Sequence, residues 1–130
     1  MEKISLKKLD RKDFEVLANA SKNYAEVLDH LIQVQNTAQQ HIHFNIIQLF
    51  QYDVYKKVTS RSFGSKSKVS MELHTAFLLH DALQFYCSST TDDYERSRGT
   101  SLIYKLHPML PSVSDEGEKS VLSQIYVEED

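Results

Sequence analysis

The fold is decided by residues 10–58, DRKDFEVLANASKNYAEVLDHLIQVQNTAQQHIHFNIIQLFQYDVYKKV, a stretch without a single Gly or Pro. Apolar side chains recur along it at about 3.6 residues per step, the period of an α-helix. This apolar stripe consists of Ala20, Tyr24, Val27, Leu31, Val34, Ala38, Ile42, Ile46 and Leu49. A seven-residue repeat fits less well, because it places Ser21, Gln35 and Asn45 in the seam. The stretch therefore predicts a helix that packs in a globular core rather than a long coiled coil.

Polar residues suggest where this helix begins and where it could be interrupted. Asp10 is suited to an N-cap, and Asp13 places a carboxylate in the first turn, next to the positive end of the helix dipole. Asn36 and Gln39 have the spacing of a capping box, so a break into two helices is one interpretation. The stripe keeps its phase through Asn36, which favours one continuous helix with, at most, a kink there.

The length of such a helix raises the question of what covers it. At about 1.5 Å per residue it would reach roughly 70 Å, against about 25 Å for the next helix of the chain. Self-association as a homodimer is the simplest way to cover the remaining apolar surface, and a kink at Asn36 is the other. An unidentified protein is a further candidate partner. The predicted interaction face consists of Tyr24, Val27, Leu31, Val34, Ile42, Ile46 and Leu49.

Short extended segments are predicted on either side of the long helix pattern. Residues 1–9 carry Ile4, Leu6 and Leu9 among lysines, as in a lead-in segment that folds back on the core. Val69 and Met71 alternate with polar residues, which predicts a brief strand. The segment 59–63 is its predicted partner, in a β-hairpin near residues 58–71.

Two more helices follow in the second half of the chain. Residues 72–88 are apolar over more than half of a helical circumference, which predicts a helix in the middle of the core. A third helix is predicted over residues 92–107, ended by Pro108. The sequence thus predicts an all-α protein, a small antiparallel helical bundle with one long N-terminal helix and a short β-hairpin.

Composition limits the class of protein. The 130 residues are 41% hydrophobic and 25% charged, which is typical of a single soluble globular domain over residues 1–130. A net charge of −3 predicts no general affinity for nucleic acid or an anionic membrane. The longest apolar run, 76–79, is far too short to span a membrane, and the single cysteine excludes an internal disulfide. These features favour a cytoplasmic protein, of bacterial or phage type, without a cofactor.

Charge is distributed unevenly along the chain. Residues 112–130 form an acidic C-terminal tail, whereas residues 56–68 form a basic segment containing Ser and Gly, interpreted as a loop. The cations of the basic segment are Lys56, Lys57, Arg61, Lys66 and Lys68. They are candidates for contact with a nucleic-acid backbone, and the alternative is a solvated loop whose charge balances the acidic tail.

One short motif has a chemical counterpart. The run Leu78–Asp81, Leu-Leu-His-Asp, resembles the His-Asp dyad of HD-domain phosphohydrolases, a helical family that binds metal and hydrolyses phosphate esters. The resemblance implies that His80 and Asp81 are metal ligands, with His43 available for the upstream role and Asp115 for the distal one. His80 also lies on the apolar arc of the second helix, as a core histidine would.

No complete catalytic set accompanies these residues. Cys87 has no activating neighbour in the sequence, and Gly99 is isolated rather than part of a phosphate-binding loop. The sequence therefore favours a non-catalytic helical module that acts through protein–protein contact or as a structural unit and self-associates through its apolar stripe. A nucleic-acid-binding accessory protein and an HD-like phosphohydrolase are the alternative functions.

Overall fold

The computed structural model describes residues 3–60 and 67–112. Within these ranges the chain forms four α-helices and one antiparallel pair of strands, which confirms the predicted all-α class. The elements in order are β1 (Ile4–Leu9), α1 (Arg11–Val34), α2 (Ala38–Val58), β2 (Ser67–Met71), α3 (Leu73–Ser89), α4 (Asp93–Leu106) and a 3₁₀ turn (His107–Met109).

The first helix pattern is broken near Asn36, so the expectation of one continuous helix is wrong. Asn36 has a φ of 58°, a left-handed conformation that Asn tolerates better than most residues and that ends α1. The next helix is capped by Thr37, whose side chain accepts from the Gln40 backbone N–H, while the Gln40 side chain accepts from the Thr37 N–H. This capping box lies one residue later than the spacing of Asn36 and Gln39 indicated.

After the break, α2 folds back along α1 as an antiparallel helical hairpin. Arg11, at the start of α1, donates from its guanidinium to the backbone carbonyl of Val58, at the end of α2. A second guanidinium nitrogen donates to the Ser60 carbonyl at 3.3 Å. The hairpin halves the span of the pattern, so its apolar residues can cover one another. Helix length alone therefore no longer requires a second subunit.

The two strands are separated in sequence by the helical hairpin and pair with each other. The predicted strand around Val69 and Met71 exists as β2, and the lead-in residues form β1. Their antiparallel register places Ile4 opposite Met71, Ser5 opposite Ser70 and Leu6 opposite Val69. Among the described residues, the partner of β2 is thus β1 and not the beginning of the predicted 59–63 segment. Thr59 is the C-cap of α2, and residues 61–63 lie outside the described residues.

Helix α3 lies against all three of the other helices, as its broadly apolar circumference predicts. Its ends and those of α4 fall within one residue of the predicted limits.

At Gly99 the two helices approach so closely that a Cβ atom built there would lie 2.6 Å from the Sγ atom of Cys87. Within the described residues, no helix is both long and apolar enough to cross a membrane.

The N-terminus of α1 is tied to α4 by charge. Asp10 is its N-cap, as predicted, and forms a reciprocal capping box with Asp13. The Nη1 atom of Arg98 donates to the Asp10 carboxylate at 2.9 Å and to the Asp13 carboxylate at 3.0 Å. These bonds raise the pKa of Arg98, first through Asp10 and then through Asp13. One cation therefore neutralises both capping carboxylates, a contact between residues almost ninety positions apart.

The basic segment is shorter as a connection than the sequence suggested. Helix α2 continues through Lys56 and Lys57 to Val58, and Lys68 already belongs to β2. Arg61 and Lys66 lie outside the described residues, as does the acidic tail from residue 113 onward.

Candidate interaction surface

Helix α2 carries apolar side chains on two of its sides. Its inner side, which packs in the core, is formed by the buried residues Gln40, Ile47, Phe50 and Val54. On the second side Ile42 is 57% exposed and Leu49 is 59% exposed, and the half-buried Ile46, between them in sequence, also packs against the core. We call Ile42, Ile46 and Leu49 the outer α2 face. Residues at these spacings lie along one side of a helix, so the three side chains form a continuous row.

The structure divides the predicted interaction face into a core part and a surface part. Tyr24 is fully buried and Leu31 is 9% exposed, so both belong to the chain's own core and were wrongly assigned to a surface. Val27 is half-buried. Val34, at the end of α1, is 68% exposed. The exposed members of the predicted face are therefore Val34 and residues of the outer α2 face, because the turn at Asn36 redirects the second half of the stripe.

Charges beside the outer α2 face are internally balanced. Asp53 and Lys56 follow Leu49 on the same helix, and their charged groups are 3.8 Å apart. The Lys56 ammonium group also lies 4.8 Å from the centre of the Tyr52 ring, itself 58% exposed. The row of aliphatic side chains is thus bordered by an aromatic ring and a compensated ion pair, and has no strong charge of one sign.

His80, a predicted metal ligand, is paired with a residue that sequence reasoning missed. The Nε2 atom of His80, on α3, lies 3.1 Å from the Nδ1 atom of His107, in the 3₁₀ turn. The ring centroids are 5.1 Å apart. Burial lowers the pKa of His80, and the neighbouring His107 lowers it further. Since 27 residues separate the two histidines, no local spacing indicated that they meet.

Asp81, the other member of the predicted dyad, is associated with Tyr24 on α1. The Tyr24 pKa is raised first by burial and then by the negative charge of Asp81. The Tyr24 hydroxyl is buried and has no hydrogen-bond partner among the described residues. The two residues of the dyad therefore have different surroundings. His80 lies next to the imidazole of His107, whereas the charge of Asp81 raises the pKa of the core residue Tyr24.

The remaining ligands implied by the HD-domain resemblance are not brought to His80 in the described part of the chain. His43 is half-buried on α2, and burial lowers its pKa. Asp115 lies outside the described residues. Across residues 3–60 and 67–112, no group of three or more His, Cys, Asp or Glu side chains is arranged to hold a metal ion.

The candidate nucleic-acid residues are exposed where the structure describes them. Lys56 and Lys57 lie on the last turn of α2, and Lys68 lies on β2. Lys56 is partly compensated by Asp53, as described above. Exposure makes these lysines accessible to a polyanion, but it is also the ordinary state of a surface lysine.

Cys87 packs between helices. Its thiol donates to the Arg96 carbonyl at 3.6 Å, and burial raises its pKa. A raised pKa keeps the sulfur protonated at neutral pH, whereas a nucleophile requires the thiolate. The surroundings of Cys87 therefore indicate a packing role.

Comparisons with known proteins complete the description of these sites. No family model, no curated protein and no solved structure matches the chain.

Proposed function

We propose that this chain is a non-catalytic helical module that acts through protein–protein contact and self-associates through the outer α2 face. The supporting observation is that Ile42 and Leu49 are each more than half exposed and lie on the same side of α2, seven residues apart. Complete burial of one aliphatic side chain stabilises a contact by about 1.5–3 kcal/mol of free energy. A row of them on one exposed helix face is typical of a contact site.

A second copy of the chain is the partner that this surface fits. In a twofold dimer the same surface serves both partners, so each apolar row covers an identical row. The nearby Asp53–Lys56 pair is already compensated, so a partner of opposite net charge has no advantage there. An antiparallel pair of α2 helices would bring Ile42 of one copy near Leu49 of the other, with the two Ile46 side chains near the twofold axis and the Asp53–Lys56 pairs beyond the ends of the apolar row.

The test is the dependence of molecular mass on concentration, measured by analytical ultracentrifugation. The wild-type chain is expected to form a dimer, and Leu49→Lys should weaken it by at least about tenfold, because each dimer loses two buried leucines and gains two ammonium groups. Tyr104→Lys is the matched control, since Tyr104 is 74% exposed on a different helix. It should leave the dimer unchanged.

Two results would contradict the proposal. One is a wild-type chain that remains a monomer throughout the accessible concentration range. The other is a dimer that Leu49→Lys and Tyr104→Lys affect equally, which would place the contact away from the outer α2 face. Far-UV circular dichroism of both variants separates loss of association from loss of fold, because Leu49 is exposed and contributes little to the core.

A further inference from the structure

We propose that His80 and His107 form a two-imidazole binding site for a divalent transition-metal ion. This site is separate from the outer α2 face and does not depend on self-association. It also differs from the ligand set that the HD-domain resemblance implies, because its second ligand is His107 and not Asp81.

The distance between the facing nitrogens carries the argument. A zinc ion holds imidazole nitrogens at about 2.0–2.1 Å, so two of them at angles of about 90–109° lie roughly 2.9–3.4 Å from each other. The Nε2 atom of His80 and the Nδ1 atom of His107 are 3.1 Å apart, within this range. In the hydrogen bond both lone-pair directions lie near the line between the two nitrogens, so each ring must turn by roughly 40° to direct its lone pair at a single ion.

The metal-free pair can be converted to a metal-binding pair without a change in total protonation. Two neutral imidazoles at this distance form a hydrogen bond when one of the facing nitrogens carries a proton. For metal binding, that ring must place its proton on its other nitrogen, which leaves both facing nitrogens with lone pairs. Partial burial favours the neutral form of His80, which is the form that binds metal.

The position of His107 favours a cation. It is the C-cap of α4, and its backbone N–H donates to the carbonyl of Ile103. The carbonyl end of a helix carries partial negative charge, so a cation near the last turn is stabilised. Because His80 is on α3 and His107 follows α4, a bound ion would link two packed helices.

The ligand type selects the class of metal. Neutral imidazole suits Zn²⁺, Ni²⁺ and Cu²⁺, with Cu²⁺ bound most tightly, whereas Mg²⁺ and Ca²⁺ prefer oxygen ligands. With two protein ligands, water occupies the remaining positions. The affinity is therefore lower than that of a structural site with four protein ligands.

The experiment is isothermal titration calorimetry of the untagged full-length chain with Zn²⁺ at neutral pH, with Mg²⁺ as the comparison ion. One equivalent of Zn²⁺ should bind, and Mg²⁺ should not. His107→Gln should weaken Zn²⁺ binding by about tenfold or more, since it removes one of the two nitrogen ligands. His74→Gln is the matched control, because His74 is an exposed histidine on α3 outside the pair.

Electron paramagnetic resonance of the Cu²⁺-loaded chain provides a readout that depends on the ligands themselves. The wild-type chain should show coupling to two imidazole nitrogens, and His107→Gln should show coupling to one. His107 is exposed, so this variant should keep its fold, which circular dichroism checks. The proposal is overturned if Zn²⁺ does not saturate the chain, if His74→Gln weakens binding as much as His107→Gln, or if the two-nitrogen signal persists in His107→Gln.

Discussion

Helices α3 and α4 approach each other closely at Gly99. We therefore predict that Gly99→Ala destabilises the protein when Cys87 is present and stabilises it when Cys87 is replaced by alanine. Gly99 lies in the middle of α4, where alanine is a better helix former by about 1 kcal/mol. An alanine Cβ would lie 2.6 Å from the Sγ atom of Cys87, about 1 Å inside the optimal separation of about 3.5–4.0 Å for such atoms. Gly99→Ala should therefore destabilise the protein despite its higher helix propensity.

The size of the effect follows from these two terms. Overpacking a well-packed site costs about 1–3 kcal/mol, and the helix-propensity gain offsets about 1 kcal/mol of it. The expected net loss is therefore at most about 2 kcal/mol. In a Cys87→Ala background the sulfur is gone, and the next neighbour of the new Cβ, the Cγ1 atom of Val16, lies at an ordinary 3.8 Å. There, Gly99→Ala should instead stabilise the chain by about 0.5–1 kcal/mol.

Urea unfolding of the four proteins of this double-mutant cycle, followed by circular dichroism, measures both quantities. The coupling energy between positions 87 and 99 should equal the overpacking cost, about 1–3 kcal/mol, in the range found for residues in contact. A loss from Gly99→Ala of equal size in both backgrounds would refute the reasoning, because it would show that the sulfur contact is not the cause. A gain in both backgrounds would show that the helices separate at little cost.

Two further predictions concern polar groups, the half-buried Arg98–Asp10 ion pair and the buried Tyr24 hydroxyl. Arg98→Met should cost about 2–3 kcal/mol at neutral pH, because it leaves the Asp10 and Asp13 carboxylates without their shared cation. The pKa of Asp10 is lowered, first by the Asp13 backbone N–H and also by Arg98. The stabilisation of the folded state by Arg98 is therefore present above the unfolded-state pKa of Asp10 and is lost as the pH falls through its folded-state pKa. The difference between Arg98→Met and wild type, measured by urea unfolding, should therefore shrink below about pH 4, and a constant difference into strong acid would contradict it. Tyr24→Phe should leave the free energy of unfolding unchanged or raise it by about 1 kcal/mol, because the buried Tyr24 hydroxyl has no hydrogen-bond partner among the described residues. A loss above about 1 kcal/mol in thermal unfolding would indicate that the hydroxyl has a partner.

Much of the helical architecture could be predicted from the sequence because it depends on local signals. The Asp10 cap, the α3 pattern and the acidic start of α4 each act within a few residues, and each appears in the structure at or next to its predicted position. The strand at Val69 and Met71 was predicted for the same reason, from alternation within a short window.

The break at Asn36 shows where a periodic pattern is insufficient. The apolar stripe keeps its phase through the turn, so periodicity alone favours one helix. The Thr37–Gln40 capping box and the left-handed Asn36 redirect the chain, and the hairpin becomes stable because its two helices bury each other's apolar faces. The same turn decides that Tyr24 is core and that Ile42 is surface, although both belong to one stripe.

The sequence by itself determined the helical class, most helix ends and the absence of any complete local catalytic motif. Only the tertiary structure decided which apolar residues remain exposed, that β1 is the partner of β2, and that His80 meets His107. The physical reason is that caps and periodicity act over a few residues, whereas the outer α2 face and the histidine pair arise from contacts between segments that the fold brings together.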